Sequence, residues 1–332
     1  MRAPRFWARP PAAPGWQAHL LAPLAWLWTL ATGLRVARPP AARLRVPVIC
    51  VGNLTVGGAG KTPTVIALVE YLRARGRVAH VVSRGHGGSL IGPVLVEERV
   101  HSAAEVGDEP LLLAAFGPVW VARDRAAAGH AAAAAGAEVV VMDDGFQNPS
   151  LARDLSILVI DADFGFGNGR VMPAGPLREP VPSGVARADL VLAIGPEPRR
   201  DRLLAEWPEL EGLPLLAGKL VPLATGMDWR GLRALAFAGI GRPEKFFATL
   251  RGLGVDLAGT RGFADHAPYS IALVARLEAE ARSKRAQLVT TEKDAVRLPQ
   301  AMRAKVLVLP VRLEIADWGP LDAALAARDL SD

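Results

Sequence analysis

Cysteine is almost absent from this 332-residue sequence, in which Cys50 is the only one. An intramolecular disulfide is therefore excluded, and a reducing compartment is compatible with the chain. Cys50 lies in the apolar run at 46–51, where a buried and unreactive thiol is the expected state. Charged residues make up 22% of the chain and apolar residues 51%, a balance that predicts a folded protein and excludes a disordered one.

Acidic side chains are missing from the start of the chain, since the first one is Glu70. Seven of the 39 basic residues precede residue 46, and the remaining 32 nearly balance the 33 acidic ones. A nucleic-acid-binding protein would normally carry its basic patch on the folded body. The sequence therefore predicts no nucleic-acid partner and an anionic surface met by the N-terminal end. The seven residues are Arg2, Arg5, Arg9, Arg35, Arg38, Arg43 and Arg45.

The N-terminal segment also lacks charge between residues 10 and 34. As a helix, residues 16–34 would measure roughly 28 Å, barely the hydrocarbon thickness of a bilayer. Pro23 interrupts the run, and Trp16, Trp26 and Trp28 are of the type that favours the headgroup level. Three interpretations stay open: a full span, a helix lying in one leaflet, and an apolar helix packed on the protein's own core. We expect residues 1–38 to form a membrane-associating segment.

Short β-branched runs alternate with helical stretches through the rest of the chain. This alternation predicts an α/β fold in which a parallel sheet is covered by helices on both faces. We place a larger domain at 39–215 and a smaller α/β domain at 216–332, with the Pro-rich region 196–222 as the boundary. The predicted helices include 62–75, 125–135 and, in the second domain, 243–252. The predicted strands are 46–51, 78–83, 119–122, 138–143, 155–160 and 189–194, then 234–240, 287–291 and 306–310.

The strand at 46–51 leads into a glycine-rich loop, a Gly-Lys-Thr triplet and a helix. This pattern nearly satisfies the Walker A motif of P-loop proteins, with Thr55 at the position of the first glycine. The glycines let successive backbone N–H groups point at phosphate oxygens, the lysine neutralises their charge, and the threonine ligates Mg²⁺. The residues predicted to bind the nucleotide are Thr55, Val56, Gly57, Gly58, Ala59, Gly60, Lys61 and Thr62.

A Walker B partner should be an apolar strand that ends in aspartate. Residues 138–145 fit this pattern, with Asp143 and Asp144 at the strand end. One carboxylate would hold the Mg²⁺ shell, and the second would orient water, ligand or substrate. The sequence therefore predicts ATP and Mg²⁺ as cofactors, with Thr62, Asp143 and Asp144 as metal-shell candidates.

Two classes of P-loop protein fit less well. GTPases usually read guanine with Asn-Lys-x-Asp, whereas Thr-Thr-Glu-Lys-Asp at 290–294 lacks the asparagine. The partitioning-type ATPases place a signature lysine where this chain has Val56. A membrane-recruited ATPase switch or nucleotide-dependent chaperone stays open as an alternative, as does a soluble small-molecule kinase.

The motifs together resemble one family, the tetraacyldisaccharide 4′-kinases of lipid A synthesis, from about residue 16 to residue 300. The resemblance implies transfer of the ATP γ-phosphoryl group to the 4′-hydroxyl of a lipid disaccharide. It also implies a helix associated with the cytoplasmic face of the bacterial inner membrane; we expect a monomer. The matching segments are 52–63, Ser-Arg-Gly at 83–85, Val-Gly-Asp-Glu-Pro at 106–110, Asp-Asp-Gly-Phe-Gln at 143–147, Pro-Ala-Gly-Pro-Leu-Arg-Glu at 173–179, Phe-Ala-Asp-His at 263–266 and Thr-Thr-Glu-Lys-Asp at 290–294.

The resemblance assigns catalytic roles to Asp108, His266 and Lys61. By spacing alone, Asp108 before a proline and three leucines is typical of a helix start. The resemblance instead implies that it accepts the proton of the substrate hydroxyl, paired with His266, which requires the second domain to close over the first. Glu179 is a further metal-shell candidate. The family commonly has a second histidine where this chain has Ala267, so no role is carried over for that position.

Overall fold

The computed structural model describes residues 3–328 and Leu330. Arg2, one of the seven N-terminal arginines, and the last residues of the predicted second domain lie outside the described residues.

A nine-stranded sheet forms the centre of the described chain, in the order β13-β8-β7-β6-β1-β5-β2-β4-β3. Neighbouring strands are parallel except at the two edges, where β3 pairs antiparallel with β4 and β13 antiparallel with β8. The predicted fold class is confirmed. The strands are β1 Val48–Gly52, β2 Ala79–Ser83, β3 Val94–Leu95, β4 Val119–Val121, β5 Val139–Asp143, β6 Leu155–Asp161, β7 Leu190–Ile194, β8 Leu215–Pro222 and β13 Val311–Ile315.

A second sheet of four parallel strands, in the order β10-β9-β11-β12, lies between β8 and β13 in the sequence. Each strand predicted from the sequence is present in one of the two sheets, with ends shifted by at most two residues. The four strands are β9 Arg233–Ala238, β10 Asp256–Gly262, β11 Gln287–Thr291 and β12 Val306–Leu309.

Helices connect most of the parallel strands, and short 3₁₀ turns lie at Arg5–Ala8 and Pro208–Leu210. The predicted helix at 243–252 is observed with the same ends. The α-helices are α1 Trp16–Leu20, α2 Ala22–Val36, α3 Lys61–Ala74, α4 Ala103–Val106, α5 Asp108–Leu113, α6 Arg125–Ala134, α7 Val181–Val185, α8 Glu197–Glu206, α9 Pro243–Gly252, α10 Ile271–Ser283, α11 Glu292–Ala295, α12 Gln300–Arg303 and α13 Gly319–Ala326.

Apolar residues cover both faces of the large sheet, as expected for strands that read as continuous hydrophobic runs. Along β1, alternate side chains point to opposite faces: Ile49 packs in the core beneath α3 and α13, and Cys50 in the core beneath α6 and α7. Cys50 is fully buried, and this burial raises the pKa of its thiol to about 11. The inert thiol predicted from the sequence is thus what the structure supports.

The small sheet has its own two cores. Phe247 of α9 packs against one face together with Ala236 of β9, and Val274 of α10 packs against the other with Phe237. Successive residues of β9 therefore face opposite helices, as a two-faced parallel strand requires.

The chain returns to the large sheet at its end, so the two sheets do not divide at residue 215. β8 and β13 form one edge of the large sheet, and α13 packs on it with Leu321 fully buried. The prolines of 196–222, which suggested a linker, instead start elements: Pro196 precedes α8, and Pro208 opens a 3₁₀ turn. The segment predicted as a boundary is therefore part of the larger unit.

The N-terminal segment forms two helices rather than one. α1 ends at a turn at Leu21, and α2 begins directly after it with Pro23 in its first turn. A proline is tolerated there because its missing N–H has no partner in a first turn. None of the helices among the described residues is both long and apolar enough to cross a membrane.

Replacing Leu321 by Ala tests the return of α13 to the large sheet. The side chain is fully buried in the core beneath α3. We expect the free energy of unfolding to fall by about 2–5 kcal/mol, because the change leaves a cavity. Leu220→Ala is the control, since this side chain on β8 is 43% exposed and its loss should cost under about 0.5 kcal/mol. Equal denaturation curves for the two variants would contradict the packing.

Candidate functional site

The loop between β1 and α3 curls as a phosphate-binding loop. Gly57 and Gly60 have φ values of +106° and +95°, in the left-handed region that favours glycine. A Cβ on Gly60 would lie 2.5 Å from Ile194 Cδ1, so no larger residue fits there without a shift. Asn53 stabilises the curl, because its Nδ2 donates to the Thr55 carbonyl (2.8 Å) and its Oδ1 accepts from Lys61 Nζ (3.1 Å).

A second segment braces this loop from outside. The backbone N–H of Val56 donates to the Pro176 carbonyl (2.8 Å), and the N–H of Arg178 donates to the Leu54 carbonyl (2.7 Å). Thr55, at the position where a glycine was expected, takes part in a β-bridge with Leu177. The loop shape is thus held by backbone contacts that Thr55 does not disturb.

Asp143 ends β5 next to the loop and is almost fully buried. Its Oδ2 accepts a hydrogen bond from Ser83 Oγ (3.2 Å), whereas its buried Oδ1 has no hydrogen-bond partner among the described residues. Burial, and then the negative charges of Glu109 and Asp144, raise the pKa of Asp143 to about 7. An unpartnered buried carboxylate oxygen is costly unless a cation or proton occupies it.

Asp144 has the opposite electrostatic environment. Its burial opposes ionisation, but the positive charges of Lys61 and Arg178 outweigh this and hold the pKa of Asp144 well below its usual range. Arg178 Nη1 lies 2.8 Å and Lys61 Nζ 3.5 Å from Asp144 Oδ1. Asp144 also has a φ of +50°, a left-handed backbone that Asp tolerates better than most residues. Adjacent aspartates therefore differ in charge: one is fixed as a carboxylate, and the other is poised to ionise.

Asp108 and His266 meet across the two sheets. His266 Nδ1 lies 3.0 Å from Asp108 Oδ1 and 2.9 Å from Oδ2, although the residues are 158 positions apart. Burial alone would raise the pKa of Asp108. The hydrogen bond from His266 and the positive charges of Lys293 and Arg297 outweigh burial, so the pKa of Asp108 lies below its usual range. The hydrogen bond with Asp108 raises the pKa of His266. The pair therefore favours a carboxylate beside a protonated imidazole.

The helix-start interpretation of Asp108 also has a structural counterpart. Asp108 is the first residue of α5, after Gly107, and its Oδ1 accepts the N–H of Glu109 (2.9 Å). The N-cap position itself belongs to Gly107, whose φ is +93°. The carboxylate therefore serves the helix end and the contact with His266 together.

Glu109 and Lys293 connect the Asp108–His266 pair to the phosphate-binding loop. Lys293 Nζ lies 2.9 Å from Glu109 Oε1 and 3.5 Å from His266 Nε2. Burial alone would lower the pKa of Lys293. Nearby negative charges, above all that of Glu109, outweigh burial and raise this pKa. The positive charge of Lys61 in turn lowers the pKa of Glu109. Basic and acidic side chains therefore alternate from Lys293, beside His266, through Glu109 to Lys61 in the loop.

Arg297 and Asp294 hold the segment that carries His266. Asp294 is fully buried and accepts from the Gly239 N–H (2.9 Å) and the Tyr269 hydroxyl (2.7 Å). Arg297 pairs with Asp294, donates to the Ala267 carbonyl (2.9 Å) and lies 3.5 Å from Asp108 Oδ2. Position 267, where the family commonly has a histidine, thus contributes its backbone.

A further set of ion pairs ties the small sheet to the large one. Arg242, just before α9, donates to the Gly58 carbonyl of the phosphate-binding loop (2.8 Å) and pairs with Asp161 at the end of β6 (2.5 Å). Lys245 of α9 also pairs with Asp161 (2.7 Å). A Cβ on Gly241 would lie 2.9 Å from the Gly58 backbone nitrogen, so the segment between β9 and α9 approaches the phosphate-binding loop closely.

Glu179 lies beside the site, with partners of its own. Both of its carboxylate oxygens lie 2.7 Å from Arg187 Nη2, and Oε1 also accepts from Gln147 Nε2 (2.9 Å). Gln147 Nε2 also donates to the Asn53 carbonyl (3.0 Å). Glu179 therefore contacts the loop through Gln147, which bridges it to the Asn53 carbonyl. Its role as a metal ligand stays a prediction.

The residues fit a Mg²⁺ ion held together with phosphate. Within residues 3–328 and Leu330, no cluster of three or more His, Cys, Asp or Glu side chains forms a metal site. Mg²⁺, however, usually takes one or two protein ligands plus phosphate oxygens and waters. The free Oδ1 of Asp143, with Thr62 at the start of α3, matches that need.

The contacts of several site residues could not be read from the sequence. Lys293 and Gln147 lie inside recognised motifs, so their presence at the site was readable but their partners were not. Asp161, Arg242 and Lys245 belong to no motif, and only the fold brings them together.

The raised pKa of Asp143 predicts proton release on binding Mg²⁺ with ATP. A metal ligand must be deprotonated, so binding at about pH 6 should release up to about one proton, and binding at about pH 8.5 almost none. Calorimetry in two buffers of different ionisation enthalpy measures this number. Asp143→Asn is the control and should show no release from this position. Equal release at both pH values by the unmodified protein would contradict the assignment.

Comparisons with known proteins agree on one family. The family model of LpxK, tetraacyldisaccharide-1-P 4′-kinase, matches residues 17–329. The tetraacyldisaccharide 4′-kinase of Dinoroseobacter shibae is 63% identical over 326 residues, which cover 98% of this chain and 97% of that protein. The same-named protein of a Jannaschia species is 56% identical over 325 residues, 98% of both chains.

The fold is also similar to a solved structure. The crystal structure of LpxK from Aquifex aeolicus in complex with ATP superposes with a TM-score of 0.70 and 26% sequence identity, and the match covers 94% of this chain and 99% of that one. With the family model spanning nearly all of the chain and close relatives matching end to end, the protein belongs to the tetraacyldisaccharide 4′-kinase family.

Proposed function

We propose that the protein transfers the γ-phosphoryl group of ATP to the 4′-hydroxyl of tetraacyldisaccharide 1-phosphate and so makes the bisphosphorylated lipid A precursor. The observation that carries this proposal is the contact of Asp108 with His266 beside a phosphate-binding loop. A nucleotide switch needs the loop alone, whereas transfer to an alcohol also needs a group that orients the hydroxyl and accepts its proton.

Residues of the loop position the nucleotide. The N–H groups of the curl at 57–60 would face the phosphate oxygens, whereas that of Val56 is bonded to the Pro176 carbonyl. Lys61 would neutralise the charge that develops between the β- and γ-phosphates. Mg²⁺, when bound by Asp143 and Thr62, would neutralise further phosphate charge. Asp144 keeps Lys61 and Arg178 in place through its fixed negative charge.

Asp108 orients and deprotonates the acceptor hydroxyl. Its low pKa keeps the carboxylate ionised, so it accepts a hydrogen bond from the 4′-hydroxyl. In a loose transition state the hydroxyl becomes acidic only as its oxygen bonds to phosphorus, so a weak base suffices. The proton then moves to a carboxylate oxygen of Asp108, while the protonated His266 balances the charge and keeps the carboxylate aimed.

We infer that residues 1–38 associate with the cytoplasmic face of the inner membrane, where the lipid disaccharide resides. The large apolar side chains of α1 and α2 point mainly away from the protein: Trp16, Leu20, Leu24, Trp26, Leu27 and Leu34 are each more than half exposed. An apolar helix flanked by arginines binds a leaflet by apolar burial and by attraction to anionic lipids. We propose a monomer, since the acceptor meets groups of both domains within one chain.

A labelled-phosphate assay tests the proposed reaction. Purified protein with Mg·ATP and the tetraacyl disaccharide 1-phosphate should give a product labelled at the 4′ position. Lys61→Ala should lower kcat by about 10²–10³-fold or more, because the transition-state charge loses its main cation. Lys305→Ala is the matched control, since this lysine next to β12 is half exposed and pairs with Glu278, away from the phosphate-binding loop.

The two possible failures of this assay point to different faults. No acceptor-dependent product from the unmodified protein would overturn the assigned function. Equal activity of Lys61→Ala and Lys305→Ala would instead overturn the site.

A further inference from the structure

One side of α2 rests on the protein body. Its buried residues Ala25 and Thr32 are seven positions apart and so share one helix face. Trp28 lies three residues after Ala25, at the border of this packed face, and is 44% exposed. Trp26 lies on the other flank of the packed face, where it lines a cavity with Val181 and Trp207, and is 65% exposed. Two tryptophans of the same helix therefore have different surroundings.

Trp28 makes a specific polar contact with the body. Its indole Nε1 donates to the backbone carbonyl of Arg178 at 3.1 Å, across 150 positions of the chain. A tryptophan N–H near a membrane surface would otherwise bond to water or headgroups, so this contact selects one rotation of α2 relative to Arg178. Apolar burial alone would not specify the carbonyl of one residue.

Arg178 is the residue at which three parts of the site converge. Its N–H donates to Leu54 in the phosphate-binding loop (2.7 Å), and its carbonyl accepts from Trp28. Its guanidinium donates to Asp144 Oδ1 (2.8 Å) and to Gln147 Oε1 (3.2 Å). The backbone of Arg178 is thus held on both sides, once by the loop and once by α2.

These two backbone contacts hold the main chain of Arg178 and so limit where its guanidinium can lie. Asp144 lies between Arg178 and Lys61, so a shift of Arg178 changes the charge balance around the lysine. Displacements of about 1 Å in such arrangements lower rates by up to about 10²-fold. The contact of Trp28 with Arg178 therefore links the placement of α2 to the phosphate-binding lysine.

We propose that Trp28 is a positioning residue that couples the placement of α2 on the membrane surface to the Arg178–Asp144–Lys61 arrangement. This inference rests on the proposed kinase function and goes beyond a role of the helix as an anchor. The same helix offers an apolar face to the lipid and holds Arg178 from its other side. Docking of α2 at the surface thereby sets the geometry of the catalytic charges.

Trp28→Phe tests the coupling, because it keeps an apolar aromatic ring and removes the N–H donor. The same change at a second tryptophan controls for the smaller ring. At saturating acceptor in phospholipid vesicles, kcat should fall about three- to tenfold, the effect of one hydrogen bond. Sedimentation with the vesicles should equal that of the unmodified protein. Trp318→Phe is the matched control and should leave kcat unchanged, since this tryptophan stacks on Tyr71 before α13, outside the membrane-associating segment. Trp26→Phe, within that segment, reports on lipid contact.

Two results would overturn the coupling: an unchanged kcat for Trp28→Phe, or a change confined to vesicle binding and acceptor KM that Trp26→Phe reproduces. A second measurement uses the unmodified protein, in case the variant does not fold. The indole N–H of Trp28 should exchange with solvent at least about tenfold more slowly than that of Trp26, and equal rates would also overturn the proposal. If the unmodified protein makes no product, the kinase function fails, while the exchange experiment still tests the contact.

Discussion

The contact between the Asp108 carboxylate and the His266 imidazole constrains the arrangement of both domains. Asp108 begins a helix of the large domain, and His266 follows the last strand residues of β10 in the small one. A nearly buried carboxylate is costly without partners, and here it has His266, Arg297 and the N–H of Glu109. The two sheets must therefore stay close enough to keep this charge paired, and the same closeness places Arg242 on the phosphate-binding loop.

Charge pairing then decides which group at the site is free to bind a ligand. Asp144, Glu109 and Glu179 each lie against a basic side chain, so each of these carboxylates already has a charged partner. Asp143 has a hydroxyl partner on one oxygen and, within the described part of the chain, no hydrogen-bond partner on the other. This difference between neighbouring carboxylates is the reason that we propose Asp143 as the cation ligand.

The central strands were predictable because each is a short apolar run buried on both faces, and such runs are local signals. Strands β3, β8, β10 and β13 were not predicted. β10 and β13 are only half-buried, and β13 pairs with β8 nearly a hundred positions earlier. At the site, motifs identified Lys61, Asp143, Asp108 and His266, but the bond from Trp28 to Arg178 spans 150 positions and no local pattern encodes it. The sequence thus predicts candidate reacting groups, and the fold shows which residues contact them.

A double-mutant cycle on kcat with Asp108→Asn and His266→Gln tests the central claim most directly. If the two residues act as one unit, each single change should lower kcat by about 10²–10⁴-fold, and the double variant should be no slower than the worse single one. Thermal unfolding of all four proteins would show that each is folded. Multiplication of the two single effects in the double variant would contradict a shared role for Asp108 and His266.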